Sequence, residues 1–263
     1  MGARMAERLV QAGCTLRVWN RSADKCAPLA AAGALVASSA AEVASSADVT
    51  FAMLSDPRAA CAVADAAAKS LKPGATYVDC STVDAATGER NARVIEEAGG
   101  RFLAAPVSGG WRDAAKGELL FICGGEEKAF EAVKEQLDVM GARAWLTGPT
   151  PSHAAHSKLM LQIMMGTMIG SLAETMAIAK GVGVDQATLL DMLGQSAMGN
   201  PLIKAKGKLM LEGSFGPNFQ VYLQQKDLRL AQQLADEVEI PAPITAAANN
   251  QYIRAKQLGL ADK

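Results

Sequence analysis

The sequence predicts an α/β protein: a doubly wound parallel sheet in the first half, then an all-α second half. Three observations predict it. Up to residue 150, short β-rich apolar runs alternate with amphipathic or alanine-rich stretches, the pattern of strand–helix–strand units with a parallel sheet covered on both faces. From Ser152 onward no convincing strand appears, and long helical patterns are punctuated by glycine and proline. At 263 residues the chain is long enough for two domains, placed here at 1–150 and 151–263, with Pro149 to Pro151 marking the change in composition.

Taken in order, residues 1–13 read as an amphipathic helix with Met5, Leu9 and Val10 on one side and Gly13 as its stop. Thr15 to Trp19 alternates and is rich in β formers. It ends at Asn20-Arg21-Ser22 and hands over to a helix near Asp24 to Ala32. Val49 to Leu54 is a short apolar strand ending in Ser55-Asp56-Pro57, with a helix following to Leu71. Thr76 to Asp79 is a strand and Asp84 to Ala98 a helix. Phe102 to Val107 leads into Ser108-Gly109-Gly110, and Leu119 to Cys123 adds a strand bounded by Gly124-Gly125. In an open parallel sheet, ligands bind beyond the carboxyl ends of the strands, which here carry Asn20 to Ser22, Leu54-Ser55, Ser81-Thr82 and Ser108 to Gly110.

A formal net charge of -1 with mixed signs provides no basic face for nucleic acid, so a small-molecule partner is expected. Cys14, Cys26, Cys61, Cys80 and Cys123 are scattered, which fits reduced thiols and neither a disulfide framework nor a zinc cluster. His153 and His156 are the only histidines and have no third ligand nearby, so no metal is expected.

The stretch from Ser152 to Gly183 carries an apolar run that Lys158 and Gln162 interrupt near its start. At i and i+4 these two project from one helix face, so one small substrate can touch both. A lysine in such a helix is costly to bury unless something uses it. The alternative at this point is a first-turn lysine whose ammonium reaches solvent. A membrane span is not expected, because the uncharged run from Leu159 to Ala173 falls short of the roughly 20 residues required.

Six stretches then point to one family: VWNRS (18–22), AMLSDP (52–57), DCSTVDAAT (79–87), PVSGG (106–110), Ala197 to Pro201, and QQKDLRLA (224–231). In this order they resemble the β-hydroxyacid dehydrogenases, relatives of the decarboxylating 6-phosphogluconate dehydrogenases, and look most like the glyoxylate and succinic semialdehyde reductase branch. The resemblance implies a Rossmann-type NADP-binding domain and an all-α substrate and dimerisation domain. Lys158 matches the catalytic lysine, whose ammonium protonates the carbonyl oxygen as hydride arrives from the nicotinamide. Gln162 falls where the family usually has asparagine. Ser108, Gly109 and Gly110 match the segment that holds the substrate carboxylate. Leu54, Ser55 and Thr82 match cofactor contacts, and Lys226 and Asp227 match a pair near the nicotinamide, with Phe219 beside them as a substrate contact. Read without the resemblance, these are a turn, a strand end, a helix cap and a surface ion pair.

Arg21 bears on the cofactor. An NAD-specific dinucleotide fold ends its second strand in an acidic side chain, whereas arginine there accommodates a 2′-phosphate. With Asn20-Arg21-Ser22 at that place, NADPH is expected.

Departures from the family pattern are also legible. Met1-Gly2 resembles only the last two positions of G-x-G-x-x-G, so the reading expects the fingerprint's first strand and two glycines upstream of Met1. Relatives continue with another helix beyond the segment matching Leu258 to Lys263. Ser152 and Ala154 replace a Gly-x-Gly, and Gln162 is one methylene longer than asparagine, a change able to move reacting groups by about an ångström.

The function expected is NADPH-dependent reduction of a small carboxylate-bearing aldehyde, in a cytoplasmic or organellar homodimer or homotetramer. The alternatives are an NAD-dependent 3-hydroxy acid dehydrogenase, and a non-catalytic oligomerising relative.

Overall fold

The computed structural model describes residues 1–263, which divide into two compact units, Met1–Lys158 and Leu159–Lys263. The first unit opens on α1 (Gly2–Gln11), followed by β1 (Arg17–Val18), a short 3-10 turn, α2 (Ala27–Ala31), β2 (Leu35–Val36) and α3 (Ala40–Ser46). Next come β3 (Val49–Ala52), α4 (Pro57–Ala68), β4 (Thr76–Asp79), α5 (Ala85–Glu97), β5 (Arg101–Ala104), β6 (Val107–Ser108) and α6 (Trp111–Lys116). The sheet ends with β7 (Leu119–Gly125), α7 (Glu127–Glu131), α8 (Lys134–Met140) and β8 (Gly141–Leu146).

Alternation along the strands explains why helices cover both faces. Val78, Cys80, Leu103 and Ala105 point to one side, where Met5 and Leu9 of α1 and Leu137 and Met140 of α8 meet them. Their neighbours Tyr77, Phe102 and Ala104 point to the other, against Ala64 and Ala67 of α4 and Ala92 and Ile95 of α5. The strand order is β3-β4-β5-β7-β6, with β8 also on β7, and β1 pairs with β2 in a separate parallel ladder.

The sheet is not parallel throughout. β3, β4 and β5 run parallel, but β7 runs antiparallel to both β5 and β6. One register carries through: Ala104 faces Gly124, Ile122 N–H donates to the Pro106 carbonyl at 2.9 Å, and Val107 faces Phe121. Only residues 109–118 lie between β6 and β7, too few for a parallel crossover, so the chain turns back on itself. Alternation of apolar runs does not distinguish this arrangement from a parallel one.

The second unit is all helix. α9 (Pro151–Gly181) begins before the division and runs into it, followed by α10 (Gln186–Gln195), α11 (Pro201–Leu211), α12 (Val221–Glu237) and α13 (Pro243–Gln257). Asp185 and Asn200 cap α10 and α11 by accepting from N–H groups of the first turn. Within this unit, Leu159 and Ile163 of α9 pack on Leu230, Ala231 and Leu234 of α12. By length and composition α9 passes as a membrane-crossing helix. Its two buried polar residues, Lys158 and Gln162, share a stripe with Gly166 and Gly170 at the same four-residue spacing, which suits close helix packing.

Candidate active site

The parallel strands β3 and β4 deliver their carboxyl ends side by side. There the Leu54 N–H donates to Ser81 Oγ at 3.0 Å, and the Ser81 N–H donates to Asp79 Oδ1 at 2.9 Å. A carboxyl group only 2 % exposed thus pins the loops that carry Leu54, Ser55 and Thr82. Burial pushes the Asp79 carboxyl above its ordinary range, while the Ser81 hydrogen bonds pull it back. Asn91 of α5 approaches the same carboxylate, but Asn91 Nδ2 and Asp79 Oδ2 fall short of hydrogen-bond geometry. Sequence reading placed Ser81 at the strand end but missed the bonds that Ser81 and Asp79 make there, although both lie inside the DCST stretch.

Gly2, the first residue of α1, sits against Met53 at the end of β3; a Cβ there would lie 3.4 Å from Met53 Cβ. Beyond β1, Asn20 Oδ1 accepts from the Ser22 N–H at 3.0 Å and shapes a turn that presents Arg21 to solvent. No carboxylate occupies Asn20 to Ser22. Backbone N–H groups at the first turn of a helix and an exposed guanidinium are each chemically suited to a dinucleotide phosphate.

Ser108 ends β6, and Gly109 has φ of 122°, a backbone state that glycine alone adopts without strain. The Gly110 N–H, expected to hold substrate, donates to Asp113 Oδ2 at 2.6 Å as α6 begins. The segment therefore offers the Ser108 hydroxyl and the Gly109 backbone before it offers Gly110.

Lys158 and Gln162 follow at four-residue spacing on α9, 6 % and 2 % exposed. The burial of Lys158 removes the solvent-reaching alternative. In the second unit, Gln162 Nε2 donates to Asp227 Oδ2 at 2.5 Å and to Gln224 Oε1 at 3.2 Å, and Gln224 Nε2 donates back to the Gln162 carbonyl at 3.0 Å. Lys226 Nζ stands 2.9 Å from Asp227 Oδ1. This is an ion pair at contact distance without hydrogen-bond alignment, since Asp227 Oδ1 has no hydrogen-bond partner. It is not the surface pair the bland reading suggested, because Asp227 is 1 % exposed. Phe219, 39 % exposed, precedes α12 and takes no part in this network. Gln224 was missed as well; its signal is a polar residue on the stripe that Asp227, Leu228 and Ala231 bury on α12.

A doubly wound sheet with a phosphate-ready helix start, followed by a helical unit with buried polar side chains on α9 and α12, defines a nicotinamide-dependent oxidoreductase acting on hydroxyl or aldehyde groups. Comparison with known proteins makes this specific. Residues 1–148 match the NAD binding domain of 6-phosphogluconate dehydrogenase, and residues 153–263 match the NAD-binding region of NADP-dependent 3-hydroxyisobutyrate dehydrogenase. The chain is 40 % identical over 266 residues to glyoxylate/succinic semialdehyde reductase 2, chloroplastic, of Arabidopsis thaliana, covering all of this chain and 74 % of that protein. It is 38 % identical over 265 residues to the cytokine-like nuclear factor N-PAC of Homo sapiens, covering all of this chain and 48 % of that one. The crystal structure of a 3-hydroxyisobutyrate dehydrogenase from Salmonella typhimurium superposes with a TM-score of 0.91 at 27 % identity, over 99 % of this chain and 92 % of that one. The chain belongs to the β-hydroxyacid dehydrogenase family.

Proposed function

We propose that this protein reduces a small carboxylate-bearing aldehyde, such as glyoxylate or succinic semialdehyde, to the hydroxy acid with NADPH. Lys158 is the proton donor. The observation that carries this reading is a buried lysine one helical turn from Gln162, in a chain 40 % identical to a reductase of those two aldehydes. In this account residues 1–150 carry most of the dinucleotide site and residues 151–263 most of the substrate site. The cofactor when bound supplies hydride. Gly2 and the start of α1 receive its pyrophosphate, Arg21, Asn20 and Ser22 the 2′-phosphate and ribose, and Leu54, Ser55, Thr82 and Lys226 its nicotinamide end. Ser108 and Gly109 take the substrate carboxylate, with the Gly110 N–H held by Asp113 beside them, and Phe219 and Asp227 border the aldehyde. The compartment follows as cytoplasm or an organelle, the chloroplastic relative supporting the second.

A second reading is an oligomerising protein without turnover; one relative at 38 % identity, N-PAC, is named as a nuclear factor and not as an enzyme. One assay separates them: absorbance-monitored oxidation of NADPH and of NADH with glyoxylate, succinic semialdehyde and, in reverse, 3-hydroxyisobutyrate. The expected outcome is turnover of an aldehyde with NADPH preferred, and a preference that shrinks in Arg21→Asp, where a like charge replaces the phosphate partner. Equal losses with both cofactors would overturn the role of Arg21. Cofactor binding without turnover of any substrate would favour the second reading.

A further inference from the structure

The polar cluster of the second unit contains a residue, Gln224, that bonds to one of the two groups expected to react and decides how that group is turned. Gln162 carries a carboxamide, which is an acceptor at one end and a double donor at the other, and rotation by 180° exchanges the two. The surroundings settle the choice. Asp227 Oδ2, 2.5 Å away, is a carboxylate oxygen in a side chain paired with Lys226, so it accepts, and the end of Gln162 facing it is Nε2. The backbone carbonyl of Gln162 also accepts, so the end of Gln224 facing it at 3.0 Å is Nε2. That leaves Gln224 Oε1 toward Gln162 Nε2 at 3.2 Å. Both Nε2 protons of Gln162 are thereby taken up within α9 and α12, and the carboxamide shows its oxygen elsewhere.

We infer that Gln224 is a positioning residue for catalysis: by gripping the Gln162 backbone and side chain together, it fixes the Gln162 carboxamide with its oxygen outward as an acceptor. The inference rests on the reading of Lys158 and Gln162 as the reacting pair. An outward oxygen accepts from an ammonium or from the hydroxyl formed when the aldehyde is reduced; an outward amide nitrogen would oppose either donor. The fold makes room for the grip. At Gly166, one turn beyond Gln162, a Cβ would stand 2.4 Å from Gln224 Nε2. Gln224 is itself 3 % exposed, so its amide cannot exchange these partners for water.

The test is a double-mutant cycle on the whole protein. Gln224→Leu should lower kcat about tenfold, the worth of one neutral hydrogen bond in the transition state, with little change in the cofactor Kd. In a Gln162→Ala background the same substitution should have no further effect on kcat, because its effect passes through Gln162. Gln224→Met, which keeps length and volume, stands in if the leucine variant does not fold. Equal losses in both backgrounds, or an unchanged kcat, would overturn the inference. A second readout separates it from the functional reading. In wild type the two Gln162 side-chain amide protons should give resolved, exchange-protected NMR signals, and protection should fall in the Gln224 variants. Unchanged signals overturn the grip whether or not the protein turns over substrate. Resolved signals in a protein that reduces no aldehyde keep the grip and overturn its catalytic meaning.

Discussion

Asp79 shows how a buried charge can serve a binding site at some expense to the fold. Its carboxyl is held above its ordinary range by desolvation and partly restored by Ser81. The native pKa is therefore above the unfolded one, the native chain binds more protons between the two values, and stability falls as pH rises through that window. The stability of wild type relative to Asp79→Asn should accordingly decline as pH rises above about 4, by at most about 1.4 kcal/mol per pH unit, and then level off. Urea denaturation across a pH series measures this, and a difference that grows with pH would contradict it. The DCST stretch was legible as a strand end beside cofactor contacts. Sequence reading missed the pin itself, because the hydrogen bond from the Leu54 backbone to Ser81 joins residues 27 positions apart.

At the level of elements, the strand runs and the long helices were read directly. Thr76 to Asp79 is β4 as expected, and Asp84 to Ala98 differs from α5 only at its ends. The two-residue β2 and the strand β8 were missed. Leu35-Val36 is too short to show a period, and in β8 the run Arg143-Ala144-Trp145-Leu146 does not alternate and lies between glycines. Helix packing was equally hidden, since nothing local to α9 says that Gly166 faces Gln224 and Leu228. Gly166→Ala places a Cβ 2.4 Å from Gln224 Nε2 and 3.0 Å from Leu228 Cδ2. Overpacking of about 1–3 kcal/mol is offset by about 1 kcal/mol of helix propensity. The variant should therefore lose only about 1 kcal/mol in thermal or urea unfolding while its kcat falls as Gln224 is displaced. A loss of stability with undiminished kcat would show that Gln224 has no bearing on the chemistry.

For the molecule as a whole, α9 leaves an apolar surface uncovered. Met160, Leu161 and Met164 are 47 %, 46 % and 58 % exposed on the side opposite the polar stripe, and Ile178 is 59 % exposed further along. A contiguous surface of that kind is covered by another protein surface or invites aggregation. We propose a second copy as the cover, and expect sedimentation at micromolar concentration to give at least a dimer. Met164→Glu should shift the population toward monomer, and a monomeric wild type would refute the proposal. The central claim is that the ammonium of Lys158 delivers the proton. Lys158→Met keeps an unbranched apolar stem, one atom shorter, and removes the ammonium with its charge and proton. Single-turnover oxidation of bound NADPH by glyoxylate should slow on the order of 10²- to 10⁴-fold in that variant, with the NADPH Kd nearly unchanged. An undiminished rate would remove Lys158 from the mechanism and the account with it.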